Sequence, residues 1–304
     1  MTDGALRAKH VAGEFDLAGA IDLHVHSAPC LFDRIGDDVQ IATRCRDAGM
    51  RAIAFKSHHE NTVSRAYHTE MQVEGLRVIG GVTLNHCVGG VNPDAVEAMF
   101  RLGGRIVWGP TGHACYHGVL TGALGKWGVQ GMVLPGWHDE GVTVLDETGA
   151  LSRATLAVLE VVKEHDGLFC TAHLAPDEIA KIVDYAVPAG IRVMVNHAYY
   201  FPRVDLAWVE AIARRGAYIE LVATLLIPSR HRKDLKYDFE LVGETIRRVG
   251  AERVVLATDA GNVFTGLWPH EQLRMFGQRL LGYDVDRAAV RRMMCDNPAM
   301  LVGL

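Results

Sequence analysis

The chain has 304 residues, 49% hydrophobic and 22% charged, with 32 glycines and 10 prolines, a globular composition that excludes collagen-like, disordered and coiled-coil proteins. Thirty-one basic residues against 36 acidic ones leave a formal charge of -5, so no basic footprint for a nucleic-acid backbone exists and nucleic acid is not an expected partner. The longest apolar run, Ile219 to Ile227, falls far short of the ~18 residues of a membrane span and carries Glu220, so no membrane partner is expected either.

Residues 1 to 14 lack an apolar export core, which makes a cytoplasmic location the expectation. The six cysteines lie far apart with no C-x-x-C pair, as suits reduced packing thiols. Histidine is abundant, at 15 residues, and its placement carries the argument below.

Short Val- and Ile-rich runs recur along the chain, each followed by a polar turn and usually by a segment of helical spacing. Strands are predicted at Ala20–Ser27, Arg51–Ser57, Arg77–Leu84, Arg105–Pro110, Leu168–His173, Arg192–His197, Ala217–Val222 and Arg253–Asp259. Runs such as Ile106-Val107-Trp108 are continuously apolar, the pattern of parallel strands buried on both faces. Helix starts follow them. Asn92-Pro93-Asp94, Ser152 and Asp205 each precede apolar residues spaced along one helical face, and Gly167, Gly190, Gly216 and Gly250 are placed as C-terminal stops. Asn297-Pro298 should start a last short helix that docks Met300 and Leu301.

Eight β/α repeats predict a (β/α)8 TIM barrel, with an open doubly wound sheet as the competing architecture. One domain spanning 1–304 is expected, since such barrels run to about 250 residues or more as one unit. The stretch 111–151, after the fourth strand, is too long for a βα loop of about 2–6 residues and reads as an insertion or lid. Within it Val142 to Leu145 looks like a strand entering the turn Asp146-Glu147-Thr148-Gly149, and Tyr116, Trp127 and Trp137 suggest an apolar contact surface or a packed lid.

In a barrel the C-terminal strand ends form the reactive face. The first strand reads Ile21-Asp22-Leu23-His24-Val25-His26, and the two histidines share parity, so both can converge on one ion. Alone, H-x-H is weak. His173, His197 and Asp259 close three further strands, and five nitrogen and oxygen donors delivered to one end are hard to assign to packing.

With these residues in place the chain resembles the amidohydrolase superfamily of metal-dependent barrel hydrolases. The resemblance rests on Asp22-Leu23-His24-Val25-His26-Ser27, on His173 and His197, on Thr258-Asp259-Ala260 and on Asn297-Pro298-Ala299, nearly the whole chain. It implies one or two divalent transition metal ions, Zn first with Mn, Ni or Fe as alternatives. His24, His26 and Asp259 would hold one ion. His173 and His197 would hold a second, or in a one-metal site His173 would join the first while His197 faces substrate. Asp259 would take a proton from the metal-bound water.

There is a departure. Two-metal members bridge their ions with a carboxylated lysine or a glutamate from the third or fourth strand, and Ile106 to Pro110 offers neither. Lys56, at the end of the second strand, is the nearest candidate: a neutral lysine amine adds carbon dioxide to give a carbamate with two oxygen donors. The plainer alternatives are a substrate-binding cation or a pair with Glu60. His58 shares the parity of Lys56 and could reach the same mouth.

Further candidates for substrate binding are Asn85, His86, Arg203 and Arg230, the arginines as partners of an anionic group, with Arg232 and Lys233 close by and solvated surface charge as the alternative. His113 and His117 rank lower. Glu220, in an apolar run, could orient a ligand histidine or contact a metal or lysine.

The expected activity is hydrolysis of an amide, lactone or ester of a small-molecule substrate, with Asp259 moving the proton and His197 or Lys56 steadying the oxyanion. A metal-dependent decarboxylase or carbon–carbon lyase and a non-catalytic ligand-binding barrel are the alternatives. Apolar insertion residues would be consistent with a homo-oligomer.

Overall fold

A computed structural model describes residues 11, 13–127, 133–136, 138–200, 204–228 and 237–304. Its strands are β1 (Ile21–Val25), β2 (Ala52–Phe55), β3 (Arg77–Ile79), β4 (Gly81–Thr83), β5 (Ile106–Trp108), β6 (Leu168–Cys170), β7 (Arg192–Val195), β8 (Tyr218–Val222) and β9 (Val254–Ala257). The helices are α1 (Asp38–Asp47), α2 (Val63–Gln72), α3 (Pro93–Arg101), α4 (Cys115–Thr121), α5 (Arg153–Glu164), α6 (Pro176–Ala186), α7 (Leu206–Arg214), α8 (Phe239–Val249), α9 (Pro269–Gly282), α10 (Arg287–Arg291) and α11 (Asn297–Val302).

This is an α/β fold with parallel sheets. Strands pair in the order β1-β2-β3 and β4-β5-β6-β7-β8-β9, every pair parallel. β3 and β4 are one predicted strand parted at Gly80, where the backbone lies so close to α2 that a Cβ would come within 2.5 Å of the Val63 Cα. The outer strands β1 and β9 approach each other through a parallel bridge between Val25 and Ala260, and the His26 N–H donates to the Ala260 carbonyl at 2.8 Å.

Two apolar layers hold the strands. One face, carrying Ile53, Val107, Val193 and Leu256, packs in a cluster with helix residues such as Ile41, Met99 and Ile182. The other carries Ile21, Leu23, Ala54, Trp108, Met194 and Val255, joined by Leu301 and Val302 of α11. Alternation along each strand therefore serves two buried faces, which is why the strands read as continuously apolar.

The predicted helix starts recur as side-chain caps. Asn92 accepts from the Asp94 and Ala95 N–H groups, Ser152 from Thr155, and Asp205 from Trp208. Gly190, Gly216 and Gly250 have positive φ, but the left-handed residue after α5 is Asp166, at φ 49°, rather than Gly167. Gly167 is small for a different reason: a Cβ there would lie 2.3 Å from the Phe100 ring.

Val142 to Leu145 forms no strand. Val142 and Leu145 each make one isolated bridge, to Ala114 and Leu151, and the Asp146 carboxylate gathers the turn by accepting from the Thr148 and Ala150 N–H groups. At the C-terminus α11 starts at Asn297-Pro298 as expected, but it follows without a break from α10 and a π-helical turn, Arg292–Asp296. The Asn297 side chain donates to the Ala251 and Val254 carbonyls. Leu301 is buried, whereas Met300 is exposed rather than docked.

Candidate metal centre

The side chains of His24 and His26 reach their place through an irregularity in β1. Ile21 pairs with Ala52 and Asp22 with Ile53, but the next partner of Phe55 is Val25, so three steps along β1 match two along β2. Ile21 and Leu23 lie in the inner cluster while Val25 lies in the outer one, so the parity changes between them. The bulge turns His24 and His26 inward beyond Leu23. Asp22 braces it, accepting from the His24 and Thr258 N–H groups at 3.1 Å each and from the Thr258 hydroxyl at 2.5 Å. Burial raises the Asp22 carboxyl to about 7.

Backbone turns at other strand ends do similar work. Continued alternation would send His173 outward with Phe169, and His197 outward with Val193 and Val195. Ala172 and His197, however, adopt left-handed φ of 49° and 31°, and Asp259 adopts 52°. These sparsely populated conformations turn the strand ends into the mouth. The His173 and His197 rings lie 5.0 Å apart, and His197 lies 5.8 Å from His24, centroid to centroid.

His24, His26 and Asp259 converge: ligand-type atoms of the three lie within 4.8 Å of one another. Asp259 Oδ1 is 3.2 Å from both His24 Nε2 and His26 Nε2. Opposite the site, His24 Nδ1 faces both Glu220 oxygens at 3.1 and 3.2 Å, and Glu220 Oε2 also accepts from Asn196 Nδ2 and the His197 N–H. Lys56 Nζ stands 3.0 Å from His24 Nε2, and the His58 ring stacks on His26 at 4.7 Å.

The protonation states suit a cation. Burial would raise Asp259 and Glu220, but the histidines around Asp259 hold it well below the usual carboxylate range, and His24, His197 and Lys56 hold Glu220 down. Burial lowers His26, His58 and His173 well below the usual imidazole range and His197 to about 3. It also lowers Lys56, making its neutral amine more accessible. Glu220 is positioned to accept a proton from His24 Nδ1, and in that tautomer the Nε2 lone pair points towards Asp259. Two acceptors 3.2 Å apart then need a donor or a cation between or beside them, a place that the N–H of Lys56 Nζ serves here. The residues present therefore fit a divalent metal. His173 and His197 stand beside the converging set rather than within it.

Lys56 does not pair with Glu60, whose carboxylate takes Arg65 at 2.6 Å. Asn85 is no open substrate contact. Its amide donates to the His58 carbonyl and the Thr111 hydroxyl, and its oxygen accepts from the Thr111 and His113 N–H groups, so it staples the β2, β4 and β5 ends together. His86 faces the 111–151 segment, bonded to the Glu140 carbonyl and stacked on His138 at 3.7 Å. Arg203, Arg230, Arg232, Lys233 and Trp137 lie outside the described residues.

From that segment, His117 Nδ1 meets His173 Nδ1 at 2.9 Å, and the Trp127 ring lies 5.0 Å from His58 and 5.1 Å from His173. Reasoning from sequence missed Arg34 and Phe32 altogether. They sit in the loop after β1, where no periodicity marks direction. Phe32 contacts both His58 and Trp127.

Residues 19–220 match the profile of DUF6282, a family of unknown function. The chain belongs to that family. No curated protein matches this DUF6282 member in sequence. Among solved structures it is similar to an amidohydrolase from Pseudomonas aeruginosa, at 12% identity and TM-score 0.60 over 94% of this chain and 97% of that one. An organophosphorus hydrolase from Deinococcus radiodurans is similar at 13% identity and TM-score 0.57, over 99% and 100% of the two chains. A lactonase template engineered for organophosphate hydrolysis gives 13% and 0.60, over 96% and 98%. The fold is thus the one found in amidohydrolase structures.

Proposed function

We propose that this DUF6282 protein is a metal-dependent hydrolase acting on an amide, lactone or ester bond of a small molecule. The observation that carries the reading is the approach of two imidazole nitrogens and a carboxylate oxygen, with a buried glutamate behind one imidazole. The bridge between Val25 and Ala260 supports a single closed (β/α)8 barrel, and the contacts of His117 and Trp127 support the 111–151 segment as a lid on its mouth.

His24, His26 and Asp259 would hold one divalent ion, Zn foremost; in a two-metal site His173 and His197 would hold a second, with Lys56 as the candidate bridge. A bound ion of this kind lowers the pKa of water from 15.7 to about 7, supplying hydroxide near neutrality. Asp259, held ionised, receives the proton of the attacking water on its carboxylate and passes it to the leaving group. Glu220 keeps the His24 proton on Nδ1, fixing the tautomer and ring plane. In a one-metal site an uncoordinated His197, or Lys56, would face the carbonyl oxygen of the substrate and steady the charge that develops there. Trp127, Phe32 and the 111–151 segment exclude bulk water.

Metal analysis of the purified protein, followed by an amide, lactone and ester panel after reconstitution with Zn, Mn, Ni or Fe, tests the proposal. About one or two ions per chain and metal-dependent turnover are expected. A protein that binds none of these ions, or turns over equally with and without them, overturns it.

A further inference from the structure

We infer that Arg34 is the substrate-recognition residue of this site and that the substrate carries a carboxylate, an inference that deepens the hydrolase reading and rests on it for the chemistry. The loop bearing Arg34 is pinned beside Asp259: Arg34 forms an antiparallel bridge with Asn262, the Ile35 N–H donates to the Gly261 carbonyl at 2.8 Å, and Arg34 Nη1 donates to Asn262 Oδ1 at 2.8 Å. The guanidinium lies 5.3 Å from the Phe32 ring centroid. Phe32 in turn contacts His58, which stacks on His26.

One edge of the guanidinium is thereby committed and the other is not. Among the described residues Nε and Nη2 are buried with no nitrogen or oxygen partner, and the guanidinium's other polar neighbour is the weakly accepting Cys30 thiol. These two atoms form the side edge of the guanidinium, whose parallel N–H groups match the two oxygens of a carboxylate. Buried donors left unpaired are costly, and those of a charged group especially so. A structural arginine would pair this edge with a protein carboxylate, as Arg65 pairs with Asp38 and Glu60 in the same neighbourhood.

Burial depresses the Arg34 pKa against the pull of Cys30 and Asp259, yet a guanidinium remains charged at any physiological pH. Its charge acts on His26 and His58, placing it within electrostatic reach of the reacting groups. A small molecule anchored there by a carboxylate would extend its scissile bond towards His24, His26 and Asp259.

Benzoate, benzamide and inorganic phosphate are suitable probes of the full-length protein, titrated calorimetrically in metal-free and Zn-loaded forms. Benzoate should bind metal-free wild type about tenfold or more tightly than isosteric benzamide, and more tightly than phosphate. Arg34→Met should erase that preference, and Arg34→Lys should keep only part of it. An unchanged benzoate preference in folded Arg34→Met overturns the inference, as does tighter Arg34-dependent binding of phosphate.

Should Arg34→Met fail to fold, phenylglyoxal modification of the wild type gives an independent readout by peptide mass spectrometry. Benzoate should protect Arg34 and benzamide should not; equal modification in both overturns the inference. Metal stoichiometry separates this result from the hydrolase reading. An Arg34-dependent benzoate preference in a protein that takes up no metal sustains the anion site and refutes the hydrolase. Metal-dependent turnover with an Arg34-independent preference does the reverse.

Discussion

Along each strand the first half and the end are built for different purposes. The inward residues of the first halves, Ile21, Leu23, Ala54, Ile106 and Val255 among them, are apolar and carry nothing that reacts. Past them, over only a few residues, the inward groups become His24, Lys56, Glu220 and Asp259, all buried or nearly so. The first region gains stability by excluding water. The second gives stability up, because it gathers desolvated acceptors and donors that satisfy one another only in part. The two should therefore fail in opposite ways when altered.

The largest effect should come from the mouth. Asp259→Asn leaves the shape but removes the anion between His24 and His26, so turnover on whichever substrate the panel identifies should fall about 10²–10⁴-fold with the thermal midpoint held or raised. Retained turnover would remove Asp259 from proton transfer. Glu220→Gln comes next. The amide has one acceptor oxygen where the carboxylate takes His24, Asn196 and the His197 N–H, so metal affinity should drop about 10–100-fold, measured by competition with a chelator. Unchanged affinity would mean that Glu220 does not set the His24 tautomer.

In the first half, Leu23→Ala should cost about 2–5 kcal/mol in urea unfolding while metal content per folded chain stays constant. Loss of metal at full stability would erase the proposed division between the two regions.

The apolar first halves were the legible part of the sequence. Continuous Val and Ile runs, the Asn92, Ser152 and Asp205 caps and the β-then-α order are all local signals, and the structure meets them almost position by position. The ends were legible only as a set of residue types. Parity was a sound guide for Lys56, which continues the inward line of Ala54, and for Glu220. It would have misdirected His173 and His197, whose inward aim depends on left-handed backbones that no spacing rule reveals.

His24 and His26 share parity with each other, yet their inward turn after Leu23 needs the β1 bulge, and that depends on Asp22 meeting Thr258, 236 residues away. Arg34 lay in a loop whose direction is set by Asn262 and Gly261, again a long-range partner. Local patterns carry the scaffold. Aim at the mouth is a tertiary property.

Ala172 allows that last point to be tested with the smallest change. An alanine at φ 49° is disfavoured by roughly 1–2 kcal/mol relative to its right-handed state. Glycine relieves this, but it gives back about 0.5–1 kcal/mol by loosening the unfolded chain. Ala172→Gly should therefore sit within about 1 kcal/mol of wild type. If the surrounding contacts impose the left-handed turn, the His173 ring stays on His117 and His197, and metal affinity measured by chelator competition is unchanged in the glycine variant. A tenfold or larger loss of affinity at unaltered stability would show that the alanine methyl, packed in the inner cluster with Cys170, holds the turn. In that event the apolar interior itself aims a histidine, and the boundary between the two regions would run through Ala172 instead of beyond it.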